Sequence, residues 1–296
     1  WAYSAEGAHR GLLMGRTSFR RGKRCTHRTK NSSIMQQRHK DRRLYFNELA
    51  NTSREFYIDY IEEWCPVGAG TKVLEIGCGE GGNLLPFAEK GCRVVGIDIN
   101  AGQIEKASQF FKENNQTGTF ISSDILLVPQ PKSGEELFDI ILVHDVIEHI
   151  EAPCKMEFFH HMKRFMHRDT IVFFAFPAWQ MPFGGHQQIC LHALSKIPFV
   201  HLLPTRVYRF LLSKTGESDS TIEGLMSIKR SRMTLEGFER IVKKTGMHVV
   251  HSTLWVINPH YRQKFGLRPI RERWPFTAIR YLRNFYTTSA WFLLKK

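Results

Sequence analysis

The stretch that decides the fold is Lys72-Val-Leu-Glu-Ile-Gly-Cys-Gly-Glu-Gly-Gly82. Its first five residues form a short, mostly apolar run of strand length, and the glycines that follow satisfy both the G-x-G-x-x-G and the G-x-G-x-G spacing. A glycine-rich turn between a strand and a helix lets a ligand lie against the backbone at the helix N-terminus. The stretch therefore predicts the first strand and the ligand-binding loop of a β-α-β unit.

Strands and helices alternate on the C-terminal side of this loop. The patterns predict strands at 93–98, 119–122, 138–143 and 170–176, and helices at 83–90, 101–113 and 152–167. This order is typical of a parallel sheet with helices on both faces, joined by right-handed crossovers. Two later strands, at 247–257 and 287–294, complete the prediction. The fold class is α/β, with a doubly wound, mostly parallel sheet of seven strands.

Three segments flank or interrupt the predicted sheet. Residues 1–34 are basic and lack apolar periodicity, and three alternatives stay open for them: a non-native leader before Met35, a disordered native tail, or an organellar transit segment. Residues 35–70 are predicted to form an N-terminal helical segment, and residues 71–296 the main domain. Within that domain, residues 177–232 are predicted to be a helical insertion after the fifth strand, on the substrate side.

Composition excludes several classes of protein. Hydrophobic residues make up 42% of the 296, which excludes wholesale disorder, and no apolar run reaches the roughly 18–20 residues that a membrane span needs. The formal net charge of +14 lies at the ends, because residues 1–45 carry +10 and residues 251–296 carry +8. The six cysteines lack paired or metal-type spacing, which favours reduced thiols in a cytoplasmic protein.

Two aspartates indicate that the loop binds a nucleoside. Asp98 ends the second predicted strand, 21 residues after Gly77, where a carboxylate can accept hydrogen bonds from both ribose hydroxyls. Asp124 lies just past the third predicted strand, where an adenine ring would sit. A nicotinamide oxidoreductase using the same loop is the less favoured alternative, because Asp124 has no place in it and no hydride-transfer Tyr/Lys pair is evident.

The combined motifs resemble those of the class I S-adenosylmethionine-dependent methyltransferases. The resemblance rests on Glu75-x-Gly77-x-Gly79-x-Gly81, on Asp98 and Asp124, and on Phe138-Asp-Ile-Ile-Leu-Val-His-Asp-Val-Ile-Glu-His-Ile150. It implies a Rossmann-like methyltransferase fold with an antiparallel last strand. It also implies S-adenosylmethionine as cofactor, with S-adenosylhomocysteine as its product. The cofactor-binding residues that it implies are Glu75, Gly77, Cys78, Gly79, Gly81, Asp98, Ile99, Asp124, Ile125 and His144.

The segment Asp145-Val-Ile-Glu148-His149 is the candidate reacting centre. It resembles the Glu-x-x-Glu-His segment of the ubiquinone-pathway O-methyltransferases and of the small-RNA 3′-end 2′-O-methyltransferases, in which it can hold a divalent metal. This chain departs from that pattern with Asp145 in the first position, and His186 is the candidate for the further histidine. Imidazole and carboxylate together suit Mg²⁺, Mn²⁺ or Zn²⁺.

Two other roles for the same segment stay open. His149 can act as a general base without a metal, with Glu148 and His144 beside it as the other catalytic candidates. The histidine can also serve only to cap a helix. The neighbouring side chains Trp179, Met181 and Phe183 either line an apolar acceptor pocket or pack under the insertion.

The function that the sequence favours is O-methylation of a small or lipid-like acceptor by a cytoplasmic enzyme. The alternatives are an RNA ribose 2′-O-methyltransferase that uses a metal at Asp145, Glu148 and His149, and a non-catalytic nucleoside-binding module. A basic and aromatic belt between Arg262 and Phe285 offers contact with a nucleic acid or with a membrane surface, or is simply a solvated face. The oligomeric state stays open.

Overall fold

A computed structural model of the chain describes residues 41–129, 131 and 137–296. The predictions for residues 1–34 and for the start of the 35–70 segment lie outside the described residues. The strands are β1 (Lys72–Ile76), β2 (Arg93–Asp98), β3 (Thr119–Ser122), β4 (Phe138–His144), β5 (Met166–Phe176), β6 (His248–Ile257), β7 (Ile270–Arg271) and β8 (Ser289–Lys295). The helices are α1 (Arg42–Thr52), α2 (Ile58–Glu62), α3 (Leu85–Glu89), α4 (Ala101–Glu113), α5 (Lys155–Met162), α6 (Thr205–Lys214), α7 (Asp219–Ser231), α8 (Leu235–Lys244) and α9 (His260–Phe265).

The described strands form one sheet in the order β3-β2-β1-β4-β5-β8-β6-β7. The first five pair in parallel, and β8 runs antiparallel to both β5 and β6, as predicted for the last strand. The strand count of seven was wrong by one. The missed strand, β7, has two residues that pair antiparallel with the end of β6 at the sheet edge, which is too short to leave a periodic pattern in the sequence.

The sheet is buried on both faces, and its central strands are mostly apolar. Adjacent residues of β1 pack in different layers: Val73 joins the hydrophobic cluster that includes Tyr57 and Trp291, whereas Leu74 joins the cluster that includes Phe174. Alternation of side chains along a strand explains this division. Continuous apolar runs of this kind are typical of parallel strands covered by helices, as the sequence predicted.

The helical segment before the sheet consists of α1 and α2, which are continuous through a π-helical turn. Asp41 caps α1, with its Oδ1 accepting a hydrogen bond from the Leu44 amide at 3.0 Å. A π-helical turn, Ser53–Tyr57, connects α1 to α2. Tyr57 and Ile61 face the sheet and are buried. The sequence predicted a helix here but not its π turn.

The segment after β5 contains no strand between residues 177 and 232. It holds α6, α7 and several 3₁₀ turns, and it has its own apolar cluster, which includes Tyr208, Leu212 and Leu225. Trp179 and Met181 are buried. The domain boundaries stay predictions. None of the helices in the described ranges is long and apolar enough to cross a membrane.

Four cysteines, Cys65, Cys78, Cys92 and Cys190, are free thiols. Cys154 is disulfide-bonded, so the prediction of reduced thiols does not hold for this residue.

Candidate active site

A cavity of about 760 Å³ opens at the carboxyl ends of β1, β2 and β4. Ligands bind at this edge in open α/β sheets, because the loops that leave parallel strands converge there. Eight of the predicted site residues that line it are Gly77, Cys78, Gly79, Asp98, Ile99, Asp124, Ile125 and His144. Asp145 and His149 line it as well, so the predicted cofactor loop and the predicted reacting centre share one cavity.

The glycine loop is fixed by backbone hydrogen bonds to the neighbouring strand. The amides of Gly77 and Cys78 both donate to the Ile97 carbonyl, at 2.7 and 3.1 Å. Gly79 has a φ of +53°, and a Cβ built on it would meet only Gln103 Oε1, at 3.9 Å. Space is thus left above Gly79 on the cavity side, whereas a Cβ on Gly77 would lie 2.4 Å from Val146 Cγ2. The two glycines are needed for different reasons, ligand access at Gly79 and packing at Gly77.

Asp98 fastens the loop to the start of the next helix. Its Oδ2 accepts a hydrogen bond from the Gly79 amide at 2.9 Å, and its Oδ1 accepts one from the Asn100 amide at 2.8 Å. Each carboxylate oxygen has a second lone pair, so the group can still accept two hydroxyl donors from the cavity. Asn100 in turn caps α4, with its Oδ1 accepting from the Gln103 amide at 3.2 Å.

Asp124 holds the turn on the far side of the cavity. Its Oδ1 accepts a hydrogen bond from the Leu126 amide at 3.0 Å, which caps the short 3₁₀ turn Ile125–Leu127. Ile99, on the same rim, is 48% exposed although it is a large apolar residue. An exposed isoleucine beside a capped polar turn is suited to one face of a planar ring, with the turn at its polar edge.

Two residues of the predicted cofactor set do not line the cavity. Glu75 is buried, and Asn83 Nδ2 donates to its Oε1 at 2.7 Å. Burial raises the pKa of the Glu75 carboxyl to about 8, and the nearby Asp98 carboxylate adds to this shift. Gly81 packs against Phe111 and Phe120, whose rings would lie about 3 Å from an added Cβ. The geometry therefore gives Glu75 a supporting role behind Asn83, which does line the cavity, and gives Gly81 a packing role.

The chain turns sharply where β4 ends. The Asp145 amide donates to the Ala175 carbonyl at 2.9 Å, and Asp145 adopts a φ of +52°. The left-handed region costs a non-glycine residue on the order of 1 kcal/mol, so the surrounding structure must impose this conformation. His144, one residue earlier, lies with its Nε2 3.7 Å from Asp145 Oδ2 and its ring 5.6 Å from the Tyr57 ring.

Glu148, His149 and His186 come together on the far side of this turn. One ligand atom from each lies within 4.8 Å of the others, and the rings of His149 and His186 are 4.9 Å apart, edge to face. Both carboxylate oxygens of Glu148 are buried without a hydrogen-bond partner among the described residues. The sequence predicted all three; Asp145, the fourth predicted ligand, is not part of the group.

Burial moves the pKa of each of the three groups toward its neutral form. Burial, helped by the Asp145 carboxylate, raises the pKa of Glu148 well above its usual value. Desolvation in the cavity wall, with the Lys155 ammonium nearby, lowers the pKa of His149 to about 4, and burial beside His149 lowers that of His186 to about 3. A cation in their midst would reverse the preference of Glu148, because an opposite charge favours the ionised carboxylate.

A buried lysine holds the turn that carries this group. Lys155 is 2% exposed, and its Nζ donates to the carbonyls of Ile147 and Ile150, at 2.7 and 2.6 Å, and to Ser231 Oγ at 2.7 Å. All three donors of the ammonium are thus used. The contact with Ser231 also ties the turn after β4 to α7 of the insertion.

Several cavity residues were not foreseen from the sequence. The most important belong to α1: Arg42, Tyr45 and Leu49 form a wall of the cavity, and Arg42 pairs with Glu80 of the glycine loop. The amphipathic pattern of α1 gave no sign of this, because the same face also packs on the loop. Asn100 could have been found from its position, since Asn directly before a predicted helix is a typical N-cap.

Comparison with known proteins identifies a methyltransferase domain in the chain. Residues 73–169 match a family model described as a methyltransferase domain. The ubiquinone biosynthesis O-methyltransferase of Rickettsia akari is 34% identical over 79 residues, which cover 27% of this chain and 30% of that protein. The chain thus matches less than a third of the length of this curated relative.

Two solved structures share the fold. An S-adenosylmethionine-dependent methyltransferase from Clostridium acetobutylicum gives a TM-score of 0.53 at 10% identity, over 88% of this chain and 99% of its own. The magnesium protoporphyrin IX methyltransferase of Synechocystis, solved with bound S-adenosylhomocysteine, gives 0.51 at 13% identity, over 88% and 94%. At such low identity the likeness establishes the fold.

Proposed function

Because the chain belongs to the class I S-adenosylmethionine-dependent methyltransferases, we propose that it transfers the methyl group of this cofactor to a hydroxyl group of a small or lipid-like acceptor. One observation carries the proposal. A single cavity joins the nucleoside-binding positions Asp98 and Asp124 to the reacting centre at His144, Asp145 and His149. A cofactor and the reacting end of an acceptor have room there together.

In this proposal the cofactor lies along the glycine loop. Its ribose hydroxyls donate to the free lone pairs of Asp98, and its adenine lies between Ile99 and the turn that Asp124 caps. Its amino-acid part lies over Gly79, where no Cβ intrudes. The methyl group then points toward the turn after β4, since the cavity continues from the loop to His144 and Asp145.

The chemistry is an in-line displacement. A bond forms between the acceptor oxygen and the methyl carbon, the carbon–sulfur bond breaks, and its electron pair stays on sulfur, so that the sulfonium becomes the neutral thioether of S-adenosylhomocysteine. The acceptor proton must leave as the oxygen attacks. The ring of His149 lines the cavity and has a nitrogen that can take up this proton. The protein otherwise supplies alignment.

The group Glu148, His149 and His186 also fits a divalent cation. Two imidazoles and a carboxylate are donors that Zn²⁺, Mn²⁺ and Fe²⁺ bind, and the two unpartnered buried oxygens of Glu148 lack any other explanation among the described residues. Such an ion would hold the acceptor oxygen and lower its pKa. That role suits the low basicity of His149, which makes this imidazole a weak base on its own.

Calorimetric titration with S-adenosylhomocysteine, run in parallel with NADH, tests the cofactor. We expect binding of the former alone. Binding of NADH alone would overturn the proposal in favour of an oxidoreductase. Elemental analysis of untagged protein tests the cation: near-stoichiometric metal in the parent and its loss in Glu148→Gln support the site, and full activity in chelator contradicts it.

Methylation of an RNA ribose 2′-hydroxyl is the second candidate. The group Glu148, His149 and His186 supports it too, because a cation held there would bind a ribose hydroxyl as readily as the hydroxyl of a small acceptor. Salt separates the two candidates. Activity on an RNA acceptor should fall steeply with ionic strength, whereas turnover of a small phenol should change little. The cytoplasmic location stays a prediction.

A further inference from the structure

Exposed apolar side chains are concentrated in two segments, residues 191–210 and 265–285. Of the 23 large apolar side chains that are exposed in the described part of the chain, sixteen belong to these segments. Trp274 is 82% exposed, and Phe210 and Tyr281 are each 63% exposed. Scattered exposed apolar residues need no explanation, but a concentration of this degree is typical of interaction surfaces.

The two segments are neighbours in space. The ring of Phe199, in the insertion, lies 6.4 Å from the ring of Phe285. Phe276 packs edge to face on Tyr286 at 6.2 Å, and the Tyr286 hydroxyl donates to the Phe276 carbonyl at 2.8 Å, which keeps this part of the surface in place. Residues 191–210 and 265–285 together are called the docking surface below.

The docking surface is strongly basic. Its sequence contains eight Lys and Arg against one acid, Glu272, for a net charge of +7. Three of the arginines, Arg209, Arg280 and Arg283, pair with glutamates. The other five have no carboxylate partner among the described residues, and all are exposed: Lys196, Arg206, Arg268, Arg271 and Arg273.

We propose that the docking surface binds an anionic lipid bilayer. Basic residues attract anionic headgroups near a membrane surface, and Trp, Tyr and Phe favour the interface between headgroups and acyl chains. The aliphatic members, such as Leu194, Ile197 and Ile279, argue against RNA as the occupant. Aliphatic side chains cannot stack on bases, whereas they gain free energy by entering the acyl region.

The docking surface adjoins a helix that packs near the cavity, so membrane binding could bring an acceptor to the cavity. Helix α9 precedes the second segment directly and packs on α1, where His260 Nδ1 lies 3.0 Å from Thr52 Oγ1. The His260 ring is also 6.5 Å from the ring of Tyr45, which lines the cavity. A lipid-like acceptor held in the bilayer would thus be presented near the wall of the cavity that Tyr45 forms. The bilayer contact itself does not depend on the proposed transfer.

Co-sedimentation of the full chain with vesicles tests the proposal. The vesicles are phosphatidylcholine alone or phosphatidylcholine with about 30% phosphatidylglycerol. We expect binding to the anionic vesicles that weakens with salt. In the double variant Trp274→Ser and Phe276→Ser the partition coefficient should fall at least tenfold, because two side chains leave the acyl region. In Arg268→Glu with Arg273→Glu it should also fall at least tenfold.

Leu127→Ser is the matched control. Leu127 is 77% exposed, close to the value for Trp274, but it follows β3, at the opposite edge of the sheet from β7. Because every variant keeps the basic residues 1–45, any attraction that those residues add is common to all. Melting temperature should be that of the parent in each variant, and S-adenosylhomocysteine affinity should be that of the parent in the two double variants of the docking surface.

Three results would overturn the proposal. One is the absence of binding to anionic vesicles by the parent. Another is an equal loss of binding in Leu127→Ser and in the Trp274 and Phe276 double variant. The third is tight binding of a single-stranded RNA oligonucleotide that these substitutions weaken while vesicle binding stays unchanged, which would assign the surface to nucleic acid.

Discussion

Replacing Asp98 by asparagine is the sharpest test of the cofactor assignment. The carboxylate accepts from the amides of Gly79 and Asn100, at 2.9 and 2.8 Å, one on each oxygen. Asparagine keeps one acceptor oxygen and places an NH₂ group against the other amide. One hydrogen bond to a charged group is lost, and two donors then face each other.

The size of the effect follows from that geometry. A hydrogen bond to a charged group contributes about 1.5–3 kcal/mol, and the partial exposure of Asp98 favours the lower end, so the free energy of unfolding should fall by about 1–2 kcal/mol. That loss corresponds to a melting temperature lower by about 2–6 °C. One ribose hydroxyl also loses its charged acceptor, so affinity for S-adenosylhomocysteine should fall about 10–100-fold.

Asp139→Asn separates the two effects. The Asp139 carboxylate accepts from the Lys72 amide at 2.7 Å, and its other oxygen lies 2.9 Å from His167 Nε2, but it lies at the amino end of β4, away from the cavity. This variant should lose stability and keep its affinity. Thermal unfolding and calorimetry on both variants are the measurements. An Asp98→Asn protein that binds with the affinity of the parent would refute the ribose assignment.

Three further predictions concern the loop, the insertion and the buried lysine. Gly79→Val should fold but fail to bind S-adenosylhomocysteine in calorimetry. Gly216→Val is the control and should bind normally, because it has similar backbone strain, at φ +76°, and no neighbour within 4 Å of its Cβ. Equal affinity in both variants would exclude the loop as the cofactor site. Burial, with a smaller contribution from Lys229, lowers the pKa of His201 to about 4. In the unfolded chain, where the pKa of a histidine is about 6.5, His201 therefore binds a proton below that pH, whereas in the folded chain it stays neutral. The free energy of unfolding should be at its full value above about pH 6.5 and decline toward pH 4. His201→Gln should make that decline shallower in melting temperatures measured across this range, and an unchanged slope would contradict the account. Lys155→Met should lower the free energy of unfolding by about 2–4 kcal/mol in denaturant titration, because three hydrogen bonds at a 2% exposed site are lost; a loss below 1 kcal/mol would show that the ammonium contributes little.

The sequence predicted the central fold because the relevant signals are local. Most of the parallel strands contain a short apolar run, and α4 has an apolar period and the cap Asn100, so β1 to β5 were found within a few residues of their ends. Strand ends were less certain, because hydrogen bonding to a neighbour extends a strand past its apolar run. Strand β5, for example, begins at Met166 rather than Thr170, since Met166 pairs with Phe138 of β4.

The sequence predicted the cavity residues that occupy fixed positions in a motif. It did not predict side chains whose direction depends on packing. Gly77, Gly79, Asp98 and Asp124 all line the cavity as predicted. Glu75 does not, because its side chain lies behind Asn83 on the buried face of the strand, and a motif gives residue types but not the direction of a side chain.

Contacts between residues far apart in the sequence could not be predicted from motifs for the same reason. Lys155 and Ser231 are 76 residues apart, and no pattern in either segment predicts their hydrogen bond. The left-handed conformation of Asp145 was equally hidden, because aspartate is a common residue in ordinary loops.

The wall that α1 supplies to the cavity has a kinetic consequence. Arg42 of α1 forms an ion pair with Glu80 of the glycine loop. A Cβ on Gly82 would lie 2.7 Å from the Phe46 carbonyl oxygen, so the helix and the loop are in close contact. S-adenosylhomocysteine is nearly as large as the cofactor it comes from, and in the proposed reaction the two exchange through a cavity of which α1 is one wall. The π-helical turn Ser53–Tyr57 gives the helix a point at which to bend. We therefore expect product release, paced by the opening of α1, to set the maximal rate, which would then be the same for acceptors of very different reactivity.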